Sequence, residues 1–399
     1  MKQRVFITGI GIISAIGRSA DETINSLCSC NTGISGMRFL DSRLKDIFPV
    51  GEVKYSNSDL SDMLSVHEDK YSRTFLLSLA AAREASGDRL KDYNPARVGF
   101  VSGNTVGGMD LTEKYFQSLH SGGEADITSL LQHDCGYSAQ KAAECLNISG
   151  YVTTISTACS SSANSIMHAA MLIRSGVIDA AVAGGVDSLT KFTLNGFNSL
   201  KILDTQLCSP FDENRNGLNL GEGAAYLFLE SEKSASDHMQ DVICEVKGFG
   251  NSCDAFHQTA MSEDGMGPKL AMRGALKSSG LEPRDIHYIN LHGTGTSNND
   301  LSEGISIEDV FTGTIPPYSS TKSYTGHTLG AAGAIEAVIS ALTIKNGIIF
   351  PNINYKTRMK ELSADPVSSL LKTNDIRNVM SNSFGFGGNN SSIIYSKVV

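Results

Sequence analysis

The chain reads as an α/β protein built from two similar halves, and three observations predict this. Short apolar segments alternate with helical patterns from end to end. Glycine, at 39 residues, far outnumbers proline, at 9, and many glycines close apolar runs, where strand-to-helix turns need them. A segment that places one reactive side chain ahead of a helix rich in small residues occurs twice, once around Cys159 and once around His327.

In chain order, residues 4–8, 98–102, 152–155, 178–183 and 225–230 are short strand candidates. Between them, residues 72–86 form an alanine-rich helix, and a second helix over 164–174 ends at Gly176, which suits a C-terminal cap. After the polar stretch 232–240 the pattern restarts with a strand at 241–247, a helix near 269–279 and a strand at 286–291. The two halves are therefore expected to be 1–247 and 248–399. A duplicated unit of this kind brings two strand-to-helix elbows towards one another across an internal twofold.

The N-terminus is ambiguous. Lys2 and Arg4 ahead of the apolar run 5–16 imitate a signal peptide. However, Gly9, Gly11 and Gly17 interrupt the run, and a strand over 4–8 turning into a helix explains it equally well. Gly9-Ile10-Gly11 also touches on a dinucleotide-binding turn, but the third small position falls on Ser14 and no following strand ends in an acidic residue.

Composition excludes several classes of function. A net charge of −9 with no Lys/Arg run argues against a nucleic-acid binder. The eight cysteines form no CxxC pair, so neither a metal centre nor a disulfide framework is expected, and a reducing cytoplasm fits best. No apolar stretch approaches the roughly 20 residues of a membrane span.

The chemistry concentrates in three places. Cys159 follows an extended segment and precedes Ser160-Ser161-Ser162-Ala163, so a sharp turn sets its sulfur at a helix N-terminus, where free N–H groups and the helix dipole favour a thiolate. A buried structural cysteine is the commoner role for any cysteine taken alone. Asn290-Leu291-His292-Gly293-Thr294-Gly295-Thr296 delivers a histidine from a strand into a turn, and Lys322-Ser323-Tyr324-Thr325-Gly326-His327 delivers another to a helix start, where a neutral imidazole is favoured. Either histidine could instead be satisfied by local backbone. Ser383-Phe384-Gly385-Phe386-Gly387-Gly388-Asn389-Asn390 reads as a loop of bare amides with rings that could gate a site, or as a tight turn between core strands.

Together these motifs resemble the elongating β-ketoacyl-acyl-carrier-protein synthases. Val5-Phe6-Ile7-Thr8-Gly9-Ile10-Gly11, Ala183-Gly184-Gly185, Pro210-Phe211-Asp212-Glu213-Asn214-Arg215 and Gly221-Glu222-Gly223 extend the resemblance along the whole chain. The resemblance implies a thiolase-like fold with five αβαβα layers and no cofactor. It implies that Cys159 accepts an acyl group, with an oxyanion hole from the N–H groups of Cys159 and Phe386. His292 and His327 would bind the malonyl thioester carbonyl as carbon dioxide leaves, Lys322 would pair with Glu336, and Thr294 and Thr296 would hold the pantetheine arm. Phe384 and Val106 would line the substrate path, Val106 at the far end of the acyl pocket at a dimer interface, where its small size suggests medium or longer chains. The expected partners are an acyl carrier protein and a second subunit, as a homodimer or as a heterodimer with a related chain. Lys70, Arg73 and Lys201 are the guesses for a positive rim that meets the acidic carrier.

Three stretches depart from the commonest housekeeping pattern: Ser160-Ser161-Ser162, Ser297-Asn298-Asn299-Asp300, and Asn389 where threonine is usual. They resemble branches that build specialised chains such as polyenes. The rival readings are a non-catalytic chain-length-factor-like partner, a thiolase or cysteine hydrolase, and a nicotinamide oxidoreductase. The first typically lacks the cysteine, the second needs a different residue set, and the third rests on the N-terminal glycines alone.

Overall fold

The structure is a computed structural model that describes residues 3–66 and 71–398. Its strands are β1 (Val5–Ser14), β2 (Val98–Gly103), β3 (Val152–Ile155), β4 (Ala180–Asp187), β5 (Gly223–Ser231) and β6 (Cys244–Cys253). They continue with β7 (Tyr288–Asn290), β8 (Tyr318–Ser319), β9 (Ile348–Ile349), β10 (Leu371–Lys372), β11 (Asn378–Phe384) and β12 (Asn389–Ser396). Ten of them hydrogen-bond in the order β3-β2-β4-β5-β1-β6-β12-β11-β7-β8.

That order contains the internal repeat. From its outer edge the first half runs third, second, fourth, fifth and first strand of its set, and so does the second half. Parallel and antiparallel pairings match as well: β2 lies parallel to β3 and β4, as β7 does to β8 and β11. The two sets meet where β1 pairs with β6 through Phe6 and Ile7. The helices Ser161–Arg174 and Ala332–Asn346 share one apolar core with strands of both sets, which places them in the middle layer of a thiolase-like αβαβα stack. The helix Arg73–Ser86 covers β1 and β5 on one outer face, and Met266–Ser279 covers β6 and β12 on the other.

The N-terminal glycines belong to this packing and not to a turn. The first strand does not end at residue 8 and lead into a helix; it runs to Ser14 at the centre of the sheet. A Cβ on Gly9 or Gly11 would stand 2.0 and 2.1 Å from the carbonyl oxygens of Ala85 and Ala81, so the glycines let the Arg73–Ser86 helix lie directly on the strand. Gly248 and Gly250 do the same on β6 beneath the Met266–Ser279 helix, where a Cβ would meet Ser279 N at 2.5 Å and Ala271 O at 2.2 Å. The apolar run that imitates a signal peptide is thus a strand buried between β5 and β6, and the nicotinamide reading loses its only support. A division at 247 would cut through β6.

Other boundaries shift by a few residues. The helix after Cys159 begins at Ser161 instead of 164, and the strand expected over 241–247 begins at Cys244. The glycine-rich stretch 383–390 is not one loop: β11 and β12 pair through Phe384 and Asn390, leaving only 385–388 as the turn of a hairpin. Among the described residues no helix is long and apolar enough to cross a membrane.

Candidate active site

Cys159 sits on a strained elbow. Ala158 ahead of it has φ 52, a left-handed conformation that costs an alanine roughly 1–2 kcal/mol. The helix cap at Ser160 and the helix start at Ser161 fix the turn. Cys159 is 5% exposed. Burial pushes the thiol up to about 11, opposed by the Phe386 N–H aimed at the sulfur and by the charge of Lys322. Desolvation outweighs these two, and so works against the thiolate that the residue's place in the sequence suggests.

His327 reaches the sulfur and His292 stands within 4.8 Å of it. His327 Nε2 lies 3.1 Å from Cys159 Sγ, and its Nδ1 accepts the Leu329 N–H at 3.3 Å, which assigns the ring proton to Nε2. His292 is set in the same sense, because the Lys322 ammonium lies 3.3 Å from its Nδ1. The rings stand edge to face with centroids 5.4 Å apart. Burial, with the nearby Lys322 charge, holds both imidazoles well below 6.5, so both remain neutral N–H donors. A ligating atom from each of Cys159, His292 and His327 falls within 4.8 Å of the others. Sulfur and two imidazoles at such spacing could ligate a metal ion as well as bind a carbonyl oxygen.

Lys322 and Glu336 form a buried ion pair, each 2% exposed, and the ammonium also bonds the His292 carbonyl. Burial pushes Glu336 up to about 7 against the pull of Lys322. Thr294 and Thr296 line a cavity of about 270 Å³ that ends on Cys159, and their hydroxyls are 2.9 Å apart. Phe384 is buried with its ring centroid 6.2 Å from that of His292. Phe386 is half-buried and stacks on Phe197 at 5.8 Å. Of the rim guesses, Lys201 is exposed at the cavity wall. Arg73 is not on a rim: it is 7% exposed and bound to the buried Glu222. Lys70 lies outside the described residues. Val106 does not line this cavity; it packs in an apolar cluster with Leu203, Leu218, Leu220 and Leu329.

Sequence reasoning missed the supports beneath the histidines. Glu303, fully buried, accepts the backbone N–H groups of His292 at 2.9 Å and Gly293 at 2.8 Å, and burial pushes it up to about 7. Asp300 accepts those of Thr294 at 3.0 Å and Phe211 at 2.8 Å. His327 is fixed through its own N–H to the Asn219 carbonyl at 2.8 Å. A signal existed for the two acids: they lie three residues apart on a helix, just after the histidine turn, which puts them on one face. The Pro210–Arg215 motif is explained in the same way, since Arg215 bonds the carbonyls of Thr296 and Ser297 and so clamps the turn.

Comparison with known proteins agrees with this geometry. The β-ketoacyl synthase N-terminal domain model matches residues 2–235 and the β-ketoacyl synthase C-terminal domain model matches 243–356. A 3-oxoacyl-[acyl-carrier-protein] synthase 2 of Staphylococcus aureus is 34% identical over 99% of this chain and 98% of its own. Among solved structures, the ishigamide ketosynthase/chain length factor superposes with a TM-score of 0.93 at 31% identity, covering all of both chains. The ketosynthase ApeO in complex with its chain length factor ApeC from Xenorhabdus doucetiae superposes at 0.88, also 31% identical, over 99% and 98% of the two chains. The models span both halves and the relatives run the full length, so this chain belongs to the β-ketoacyl synthase family of condensing acyltransferases.

Proposed function

We propose that the chain is a 3-oxoacyl-[acyl-carrier-protein] synthase in which Cys159 carries the acyl group and His292 and His327 drive condensation with a malonyl thioester. The observation that carries this reading is the convergence of one sulfur and two neutral imidazoles within 4.8 Å at the end of the cavity. In the first half-reaction the Cys159 sulfur bonds the acyl carbon, the carrier thioester C–S bond breaks, and the proton from Cys159 passes to the departing pantetheine thiol. The N–H groups of Cys159 and Phe386 serve the oxyanion. In the second, the Nε2–H groups of His292 and His327 hold the malonyl thioester carbonyl. The C–C bond to the carboxylate breaks, carbon dioxide leaves, and the enolate carbon bonds the acyl carbon. Cys159 departs as thiolate and takes up one proton.

Lys322 and Glu336 act through His292, Thr294 and Thr296 serve the pantetheine arm, and Phe384 and Phe386 border its path. Val106 is proposed to bound the acyl chain from the cluster behind the site. The partners proposed are an acyl carrier protein, named in the relative above, and a second subunit of this fold. The free edge of β3, with Tyr151 and Val152 exposed beside Ile127 and Leu131, supports such a subunit, identical or related. Beside a related subunit this chain would be an active member, because it holds Cys159 and both histidines. The departures around Ser160–Ser162, Ser297–Asp300 and Asn389 favour a specialised chain over primary fatty acids. We place the division of the halves ahead of β6, and the enzyme in the cytoplasm, where its eight free cysteines stay reduced.

The test is to incubate the protein with acyl- and malonyl-loaded acyl carrier protein and to follow intact masses for the wild type and Cys159→Ala. An acyl adduct on the enzyme and a two-carbon-extended β-keto product, both absent in the variant, are expected. If neither forms with any acyl chain, the reading fails and a silent partner of another synthase replaces it.

A further inference from the structure

The two N–H groups proposed for the oxyanion come from separate parts of the chain. One belongs to Cys159 at the elbow ahead of the Ser161–Arg174 helix; the other belongs to Phe386 in the hairpin turn between β11 and β12. The turn is fastened to the segment after β6, the Gly387 N–H donating to the Gln258 carbonyl at 2.8 Å and the Gly388 carbonyl accepting the Asp254 N–H at 3.2 Å, which fixes it on the side away from Cys159 only in part. An oxyanion hole works only when both donors are held at the separation the developing charge requires, before the charge appears. Something must tie the turn to the elbow.

Asn389 is placed to do so. It closes the hairpin turn, its carbonyl accepting the Gly385 N–H at 2.9 Å. Its side-chain oxygen meets donors from two other elements: Asn164 Nδ2 at 2.8 Å from the nucleophile helix and Asn251 Nδ2 at 2.9 Å from β6. The Ser160 hydroxyl, next to Cys159, lies 2.8 Å from the same oxygen. Asn164 extends the tie, donating to the Thr157 hydroxyl at 2.8 Å on the other side of the elbow. The side-chain oxygen of Asn164 accepts the Ser391 hydroxyl at 2.8 Å from β12. One carboxamide thus joins the residue after Cys159, the helix that follows and the strand that follows Phe386. These residues coincide with two of the stretches in which the sequence departs from the usual pattern.

We propose that Asn389 is a positioning residue that sets the oxyanion hole, its side-chain oxygen fastening the turn that carries the Phe386 N–H to the elbow that carries the Cys159 N–H. The proposal rests on the acyl-enzyme reading above and extends it to the residues that make the first half-reaction fast. Asn389 touches neither substrate nor sulfur. Its loss frees the turn that carries Phe386 from the elbow, while the Ser160 hydroxyl keeps its bond to the Thr157 carbonyl at 2.7 Å and so holds the elbow at Cys159.

The experiment compares two reactions of the same sulfur in the full-length protein. Alkylation by iodoacetamide forms no oxyanion, whereas acylation by an acyl carrier protein thioester does. In Asn389→Ala, acylation is expected to fall about tenfold to a hundredfold, less than the loss of a whole donor, while iodoacetamide labelling of Cys159 changes less than about twofold. Asn164→Ala, which removes the tie from the other side, is expected to give the same split, and the double variant to be no slower than the slower single one. Should Asn389→Ala not fold, the Asn164→Ala split alone decides. Acylation at the wild-type rate in the folded variant overturns the proposal, and so does a parallel fall in both reactions, which marks a general disturbance of the elbow. Failure of the wild type to acylate at all would instead overturn the acyl-enzyme reading.

Discussion

Replacing Glu336 by leucine strands a buried ammonium, and the structure sets the size of the effect. Lys322 and Glu336 are each 2% exposed, so water replaces neither partner when one is removed. The remaining contacts of Lys322 Nζ are the His292 carbonyl and His292 Nδ1 at 3.3 Å, both neutral. An uncompensated buried charge of this kind costs about 3–5 kcal/mol. With an unfolding entropy of about 2.1 cal/mol/K per residue, the 399 residues give about 0.8 kcal/mol/K, so the melting temperature should fall by about 4–6 °C. Lys322→Met/Glu336→Leu, which removes both charges, should recover most of that loss. Lys322→Met alone behaves differently, because burial already pushes Glu336 up to about 7 and the carboxylate can take up a proton. Without the Lys322 charge that pulls it down, the folded carboxyl lies higher still, so its contribution is fully present below about 4.5 and is lost as pH rises above that value. Lys322→Met should therefore be closer to wild type at pH 5 than at pH 8. The assay is thermal unfolding at fixed protein concentration and several pH values. Equal losses for Glu336→Leu and the double variant would refute the reasoning, since the two groups would then not be coupled.

Three further outcomes follow from the site. His292→Ala and His327→Ala should each slow condensation by about a hundredfold or more while Cys159 still accepts an acyl group, as separate mass measurements of adduct and product will show. Because burial and Lys322 hold both imidazoles well below 6.5, their ring NMR signals should keep the neutral pattern from pH 8 to 6; a protonation step centred near 6.5 would contradict neutral donors. Gly11→Ala should destabilise the protein by about 1–3 kcal/mol or more, read as a lower melting temperature, because the new Cβ would stand 2.1 Å from the Ala81 carbonyl oxygen.

What the sequence determined by itself was the family and the class of fold, together with the candidates for its chemistry. Cys159, His292, His327 and Lys322 announce themselves because each sits in a short motif whose glycines, serines and threonines make sense only at a turn, and the alternation of strands and helices carries the two halves. Local patterns also placed most element centres, although ends moved, as with the helix that starts at Ser161, because caps depend on neighbouring backbone. Tertiary structure decided everything that depends on contacts distant in sequence. Gly9 and Gly11 resembled a turn signal until a helix some 70 residues away proved to lie on them. Arg73 resembled a surface charge until Glu222 took it inside. Burial raises the Cys159 thiol against the pull of the Phe386 N–H and of Lys322, groups that only the fold brings beside the sulfur. Glu303 and Asp300 left a helical spacing in the sequence but not the backbone groups they hold, and the Asn389 tie was legible only in space, since it joins side chains more than 130 residues apart.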